Sequence, residues 1–131
     1  VCLSEIYKTE LDPRIGFLHE PNYRALSLHL DLAEIFKPIL GDTLIFAMLN
    51  KKEITAKDFQ TDAGRIKFSN DAIQKIEMKM ISRLSETIAL NGQNLTWRQV
   101  IRREANQLKK CICEDMPYVG FVWGWGLVFW D

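Results

Sequence analysis

One histidine and two carboxylates stand out by what surrounds them. His19, Asp31 and Glu34 fall within GFLHEPNYRALSLHLDLAEIFKP, residues 16–38. Leu26, Leu28, Leu30, Leu32, Ile35 and Phe36 crowd the two acids. A charge buried without a partner or a metal is costly, so acids in such a setting need a reason. On a helix, residues three apart share a face, and Asp31 and Glu34 then project together. Paired carboxylates repel, which raises one pKa or draws a cation between them. One imidazole nitrogen plus carboxylate oxygens suits Mg2+ or Mn2+ better than zinc. On spacing alone the commoner arrangement is a solvated acidic face with a surface histidine nearby.

The elements that must position these residues follow from the chain around them. Residues 1–11 read as a helix stopped by Asp12-Pro13. Pro13, Gly16, Pro21 and Asn22 make 12–25 a loop, which puts His19 on a loop beside the next helix. Ser27 is placed to cap that helix, which runs to about Asn50 with a bend at Pro38 and a break near Gly41-Asp42. Residues 26–32 also alternate with period two, a strand signal, but length favours helix. Asp62-Ala63-Gly64 reads as a turn and Arg65–Phe68 as a short strand, giving one hairpin within 58–70. Ser69, Asn70 and Asp71 cap a helix over about 71–90, with Ile73, Ile76, Met80, Ile81, Leu84 and Ile88 as its apolar positions and Asn91-Gly92 ending it. Thr96 caps a helix over 97–114 with Val100, Ile101, Leu108 and Ile112 inward. From Asp115 a Pro-, Gly- and Trp-rich tail packs on the helices. The expected class is mainly α, a helical bundle-like catalytic domain with one short hairpin.

The 131 residues, 47% of them hydrophobic, suffice for one domain with a core. No apolar run is long and unbroken enough to span a membrane. Cys2, Cys111 and Cys113 form neither a disulfide framework nor a zinc pattern, and read as buried, reduced thiols of a cytoplasmic protein. Net charge is zero, which argues against a purely electrostatic DNA binder. The charge is uneven, however. Residues 1–50 hold four Lys/Arg against seven Asp/Glu, and residues 51–131 hold thirteen against ten. Val1 opens directly into a helical pattern with no cap, which reads as the tail of a longer helix in a larger protein.

The motifs match a known family. KTELDPRIGFLHEPNYRALSLHLDLAEIFKPILGD resembles the CRISPR-associated spacer-acquisition integrase, its C-terminal catalytic domain in particular. The match runs through Leu11-Asp12-Pro13, Gly16 to Pro21, Ser27-Leu28, Leu30-Asp31-Leu32, Glu34 and Phe36-Lys37-Pro38. It continues through Lys51 to Ile54, Asp58-Phe59, Leu95 to Arg98, Ile101, Glu104, Leu108 and the aromatic ending Tyr118 to Trp123. The resemblance implies His19, Asp31 and Glu34 as catalytic metal ligands for Mg2+ or Mn2+. It implies attack of a DNA 3′-hydroxyl on a phosphodiester, inserting new spacers into CRISPR arrays. It also implies a further catalytic glutamate and a β-rich N-terminal domain that forms the homodimer, both before Val1, and a small CRISPR-associated partner subunit. A chain without that glutamate is expected to hold an incomplete site and to be weakly active by itself.

Other side chains carry two readings. Arg24 and Lys37 flank the acids, as charge balance or as phosphate contacts. On the helix 97–110, Arg98, Arg102 and Lys109 recur at i, i+4 and i+11 and line one face. With Arg103 and Lys110 they make either a solvated face or a DNA-backbone stripe. His29 points to another face than Asp31 and is expected to be a satisfied, partly buried histidine. Glu20 orients its loop or meets solvent. Trp123, Trp125, Phe129 and Trp130 read as packing rather than base stacking. The rival to the enzyme is a non-enzymatic helical module that binds DNA or a protein.

Overall fold

The computed structural model describes residues 1–18, 26–123 and 128–129. The first helix, α1, is a short segment, Cys2–Ile6, and the polypeptide then turns through Asp12 and Pro13. Asp12 makes that turn rigid. Its Oδ1 accepts the Arg14 backbone N–H at 2.9 Å, and its carboxylate also holds the Arg14 guanidinium at 2.7 Å. The Arg14 side chain holds the Asp12 carboxyl down, to about 2.

Helix α2, Leu28–Phe36, buries Leu28, Asp31, Leu32 and Phe36, positions that recur every three to four residues on one face. Ser27 occupies the N-cap but makes no cap bond. Its hydroxyl donates instead to the Arg14 carbonyl at 2.8 Å, tying the turn to the helix start. Lys37–Asp42 follows as a π-helical segment, and α3 covers Thr43–Asn50. The helix expected over 27–50, bent at Pro38 and broken near Gly41-Asp42, is therefore three consecutive pieces. Pro38 falls in the first turn of the π segment, where its missing N–H is least costly.

A hairpin joins β1, Phe59–Asp62, to β2, Arg65–Phe68, as expected near 58–70. Ala63 and Gly64 both take positive φ, the two-residue turn whose twist suits a hairpin. Helix α4, Asn70–Leu84, starts at Ser69, whose Oγ accepts the Ala72 N–H at 3.2 Å.

Residues 85–96 differ from expectation. The helix ends at Leu84, and β3, Thr87–Leu90, pairs antiparallel with β4, Gln93–Thr96. Asn91-Gly92 is the hairpin turn, with φ of 50° and 75°, not a helix stop. The inward face of α4 is accordingly Ala72, Ile76, Met80 and Leu84, while Ile73 and Ile81 are exposed.

Helix α5, Trp97–Glu114, opens on a reciprocal cap. Thr96 Oγ1 accepts the Gln99 N–H at 3.2 Å, and Gln99 Oε1 accepts the Thr96 N–H at 2.8 Å. Its apolar stripe is Trp97, Val100, Ile101, Ala105 and Leu108; Ile112, expected inward, is exposed. After Asp115, whose φ of 52° ends the helix, the tail returns to the core. There Phe121 stacks on Phe36, with ring centres 5.5 Å apart, and sets its edge against Trp97. Two short strands, β5 Val122–Trp123 and β6 Val128–Phe129, pair beyond it; Trp125 and Trp130 lie outside the described residues.

Helix α1 packs on α2 and α5, and these three share one core with Leu84, Leu90 and Phe121. Leu44, Met48 and Ile54 form a second, smaller core. Cys2 and Cys111 are half-buried, but Cys113 is exposed, contrary to the reading of three buried thiols. No helix among the described residues is long and apolar enough to cross a membrane.

Candidate functional site

The site is built where the turn after α1 crosses the start of α2. The Ser27 and Leu28 N–H groups both donate to the Pro13 carbonyl, at 3.0 and 3.1 Å, which locks the turn over the helix N-terminus. The chain then runs past Gly16 so closely that a Cβ there would lie 2.7 Å from Asp31 Oδ2 and 2.7 Å from Ser27 Oγ. Only glycine fits without displacing the acid or the hydroxyl.

Asp31 is 2% exposed. Its Oδ2 accepts the Phe17 N–H at 2.7 Å and the Leu18 N–H at 3.3 Å. A buried carboxylate is tolerable when donors satisfy it, and here backbone amides supply them. The acid thus fixes the segment that runs directly into His19. Glu34, one turn further along α2, faces solvent with 44% of its side chain exposed, 3.5 Å from Lys37 Nζ. The two acids expected side by side therefore have different settings, one turned onto backbone amides and the other beside a lysine. His19, Glu20 and Arg24 lie outside the described residues.

No cluster of three or more His, Cys, Asp or Glu side chains able to hold a metal occurs among the described residues. The donor chemistry of the two described acids nevertheless fits a hard divalent ion. Both offer oxygen, and Asp31 is oriented by backbone donors as outer-shell partners orient metal-bound carboxylates.

The basic residues of α5 divide by partner. Arg102 Nε donates to Glu5 Oε2 at 2.8 Å, and Lys8 Nζ donates to Glu5 Oε1 at 2.7 Å. Lys109 pairs with Glu10 at 3.1 Å. Two of the three cations expected to form one stripe are thus matched to acids of the N-terminal segment. Glu5 is buried; desolvation pushes its carboxyl up, but the hydrogen bonds and charges of Arg102 and Lys8 outweigh this and hold it below the ordinary glutamate range. Arg98 is exposed, while Arg103 and Lys110 line a polar groove against β4.

Two features were not legible as sites in the sequence. Glu104, fully buried on α5, accepts the Tyr118 hydroxyl and the Phe121 N–H on Oε1, the latter at 3.2 Å. Its Oε2 has no hydrogen-bond partner among the described residues. His29 was expected to be satisfied, but its buried Nδ1 has no partner among the described residues either. It lines an apolar cavity of about 500 Å³ between α1, α2 and α4.

The chain is similar to known proteins in sequence and in fold. A family model described as CRISPR associated protein Cas1 matches residues 1–80. The chain is 42% identical over 126 residues to CRISPR-associated endonuclease Cas1 2 of Thermodesulfovibrio yellowstonii, covering 95% of this chain and 38% of that protein. It is 44% identical over 119 residues to CRISPR-associated endonuclease Cas1 of Clostridium perfringens, covering 88% and 36%. The chain thus spans under two fifths of the length of the curated relatives it matches. In three dimensions it is similar to a CAS1 protein from Thermotoga maritima, with a TM-score of 0.75 and 34% identity over 85% of this chain and 34% of that one. It is also similar to a casposase bound to its integration product, with a TM-score of 0.74 and 27% identity over 88% of this chain and 34% of that one. A turn held on α2 by Asp31, a second acid on that helix and a family model spanning both lead to one conclusion: the chain belongs to the CRISPR associated protein Cas1 family.

Proposed function

We propose that this chain is the helical catalytic part of a metal-dependent DNA endonuclease and strand transferase that inserts new spacers into CRISPR arrays. The observation that carries this reading is the contact of Asp31 Oδ2 with the Phe17 and Leu18 amides. It ties Phe17 and Leu18, the residues that precede His19 in the chain, to the helix that bears Glu34.

His19, Asp31 and Glu34 would hold Mg2+ or Mn2+, which supplies charge neutralisation at a phosphodiester and orients the attacking and leaving oxygens. In the transfer a DNA 3′-oxygen bonds to phosphorus, and the bond from that phosphorus to the leaving 3′-oxygen breaks. The chain's own part is placement. Asp31 is held rigid by main-chain donors, Glu34 offers its carboxylate at the helix surface, and Arg24 and Lys37 would meet phosphates. The exposed Arg98, together with Arg102, Arg103, Lys109 and Lys110 of α5, supplies the positive face for DNA. A further glutamate, a β-rich dimerisation domain and a small partner subunit complete the working complex, which acts in the cytoplasm.

The test is Mn2+-dependent nicking of branched DNA by the protein at the full length of its relatives. Asp31→Asn, which preserves volume, is expected to lower the rate about 100-fold. A folded Asp31→Asn protein that nicks at the normal rate would falsify the assignment.

A further inference from the structure

Residues 15–18 hold three large apolar side chains in solvent. Ile15, Phe17 and Leu18 are 69%, 63% and 67% exposed, with Gly16 between the first two. None of them belongs to either core. The backbone that carries them is nonetheless fixed. Arg14 and Ile15 donate their N–H groups to Asp12, at 2.9 and 3.2 Å. Phe17 and Leu18 donate theirs to Asp31 Oδ2, at 2.7 and 3.3 Å. Gly16 lies so close to Asp31 and Ser27 that the segment has no slack toward α2. The result is an uncharged apolar ridge on a rigid base, and its one aromatic member hangs from an amide that bonds Asp31.

We propose that Phe17, flanked by Ile15 and Leu18, wedges into the DNA base step beside the phosphodiester on which the acids act, and unstacks it. The inference deepens the DNA-acting reading above and rests on it. Phe, Leu and Ile are side chains that proteins insert between base pairs to kink a duplex. Because the Phe17 amide bonds a candidate metal ligand, whatever meets its ring lies next to the reacting DNA. Size separates DNA from a protein partner. A stable protein interface takes about 800 Å² from each partner, far more than three side chains supply. A base presents one flat π-face, which a single ring covers. The rigid base adds to the effect. A wedge already ordered loses little freedom on insertion, so more of the stacking free energy goes into opening the step. An opened step also bends the strand more readily toward the acids.

The test uses the protein at the full length of its relatives and branched DNA whose nick has been mapped with wild type and Mn2+. 2-Aminopurine then replaces the base beside the nick, and its fluorescence is followed on protein binding with EDTA present, so that no strand is cut. Wild type is expected to raise the fluorescence, and so is Ile66→Ala, which alters an equally exposed apolar side chain on β2. Phe17→Ala, which keeps its N–H for Asp31, is expected to abolish the rise. With Mn2+, Phe17→Ala is expected to nick fully paired DNA about tenfold more slowly, the loss of one base–aromatic stack. DNA already mismatched at that step should restore its rate. No rise with wild type, a full rise with Phe17→Ala, or an equal slowing on mismatched DNA each overturns the proposal. So does a lower melting midpoint of Phe17→Ala, which makes the ring a packing residue of the whole protein, or a changed oligomeric mass by light scattering, which makes the ridge a protein contact. If Asp31→Asn nicks normally while Phe17→Ala loses the rise, the catalytic assignment falls and the wedge stands. If Asp31→Asn abolishes nicking while Phe17→Ala keeps the rise, only the wedge falls.

Discussion

The hydroxyl of Tyr118 donates to Oε1 of Glu104, a carboxyl fully buried on α5, and so ties the returning tail to the core. Phe121, three residues on, donates its N–H to the same oxygen and packs its ring on Phe36 of the acid-bearing helix. Glu104 is thus the polar anchor of a segment whose apolar anchor touches α2.

This anchor gives stability a definite pH dependence. Burial pushes the Glu104 carboxyl up, against the hydrogen bonds from Tyr118 and Phe121, which favour its charged form. Below the ordinary glutamate value of 4.5, the group is protonated in the folded and unfolded chains alike. Above it, the unfolded chain releases the proton first. Stability from this group therefore falls as pH rises, until the folded pKa is passed. Glu104→Gln removes the titration. Urea midpoints from pH 4 to 8 are expected to show wild type losing ground to Glu104→Gln as pH rises. A difference that stays constant or grows in favour of wild type would sink the assignment. Glu104→Ala, which strands the Phe121 amide and opens a cavity, should cost about 2–4 kcal/mol.

Gly16→Ala tests the close crossing over α2. Its Cβ would lie 2.7 Å from two polar side-chain atoms, so the loop or the Asp31 side chain must move. The expected cost is about 1–3 kcal/mol, read as a lower denaturation midpoint. If the loop moves, the Phe17 and Leu18 amides lose Asp31 Oδ2, and their hydrogen exchange should quicken more than that of amides in α5.

Arg102→Ala and Lys8→Ala separate the two partners of Glu5. Both pair with a fully buried carboxylate, but only Arg102 comes from another element of the core. Removing Arg102 leaves Glu5 short of its long-range partner and should lower the denaturation midpoint more than removing Lys8 does. Lys8→Ala should cost about 1 kcal/mol or less. Because the Glu5 carboxyl is held below its ordinary value, its contribution is present near neutral pH and is lost as pH falls through the folded pKa. Denaturation midpoints at pH 7 and pH 3 should therefore differ more in wild type than in Glu5→Gln.

The acids of the site were legible in the sequence because Asp31 and Glu34 interrupt an apolar run at helical spacing. Their different settings were not. The burial of Asp31 depends on Gly16 and the Phe17 amide, fourteen residues away from it, and side-chain patterns do not report main-chain donors. The β3–β4 hairpin was missed because Ile88 keeps helical phase with Leu84. The better signals were the β-branched Thr87 and Ile88 and the Asn-Gly pair between two short runs. The pairing of Arg102 with Glu5 spans 97 residues, a distance over which no local pattern speaks. What local chemistry decides was readable, including the Thr96 cap and the first hairpin turn; the helix read over 1–11 instead ends at Ile6, before Asp12-Pro13 is reached.

Asp31 grips the loop by its main chain, which separates the loop's placement from the identity of its side chains. Phe17 and Leu18 are exposed while their amides are held. Any residue with an N–H can occupy those two positions and leave the grip intact; proline alone cannot. A substitution at either side chain should thus change the surface next to the acids without disturbing the acid beneath it.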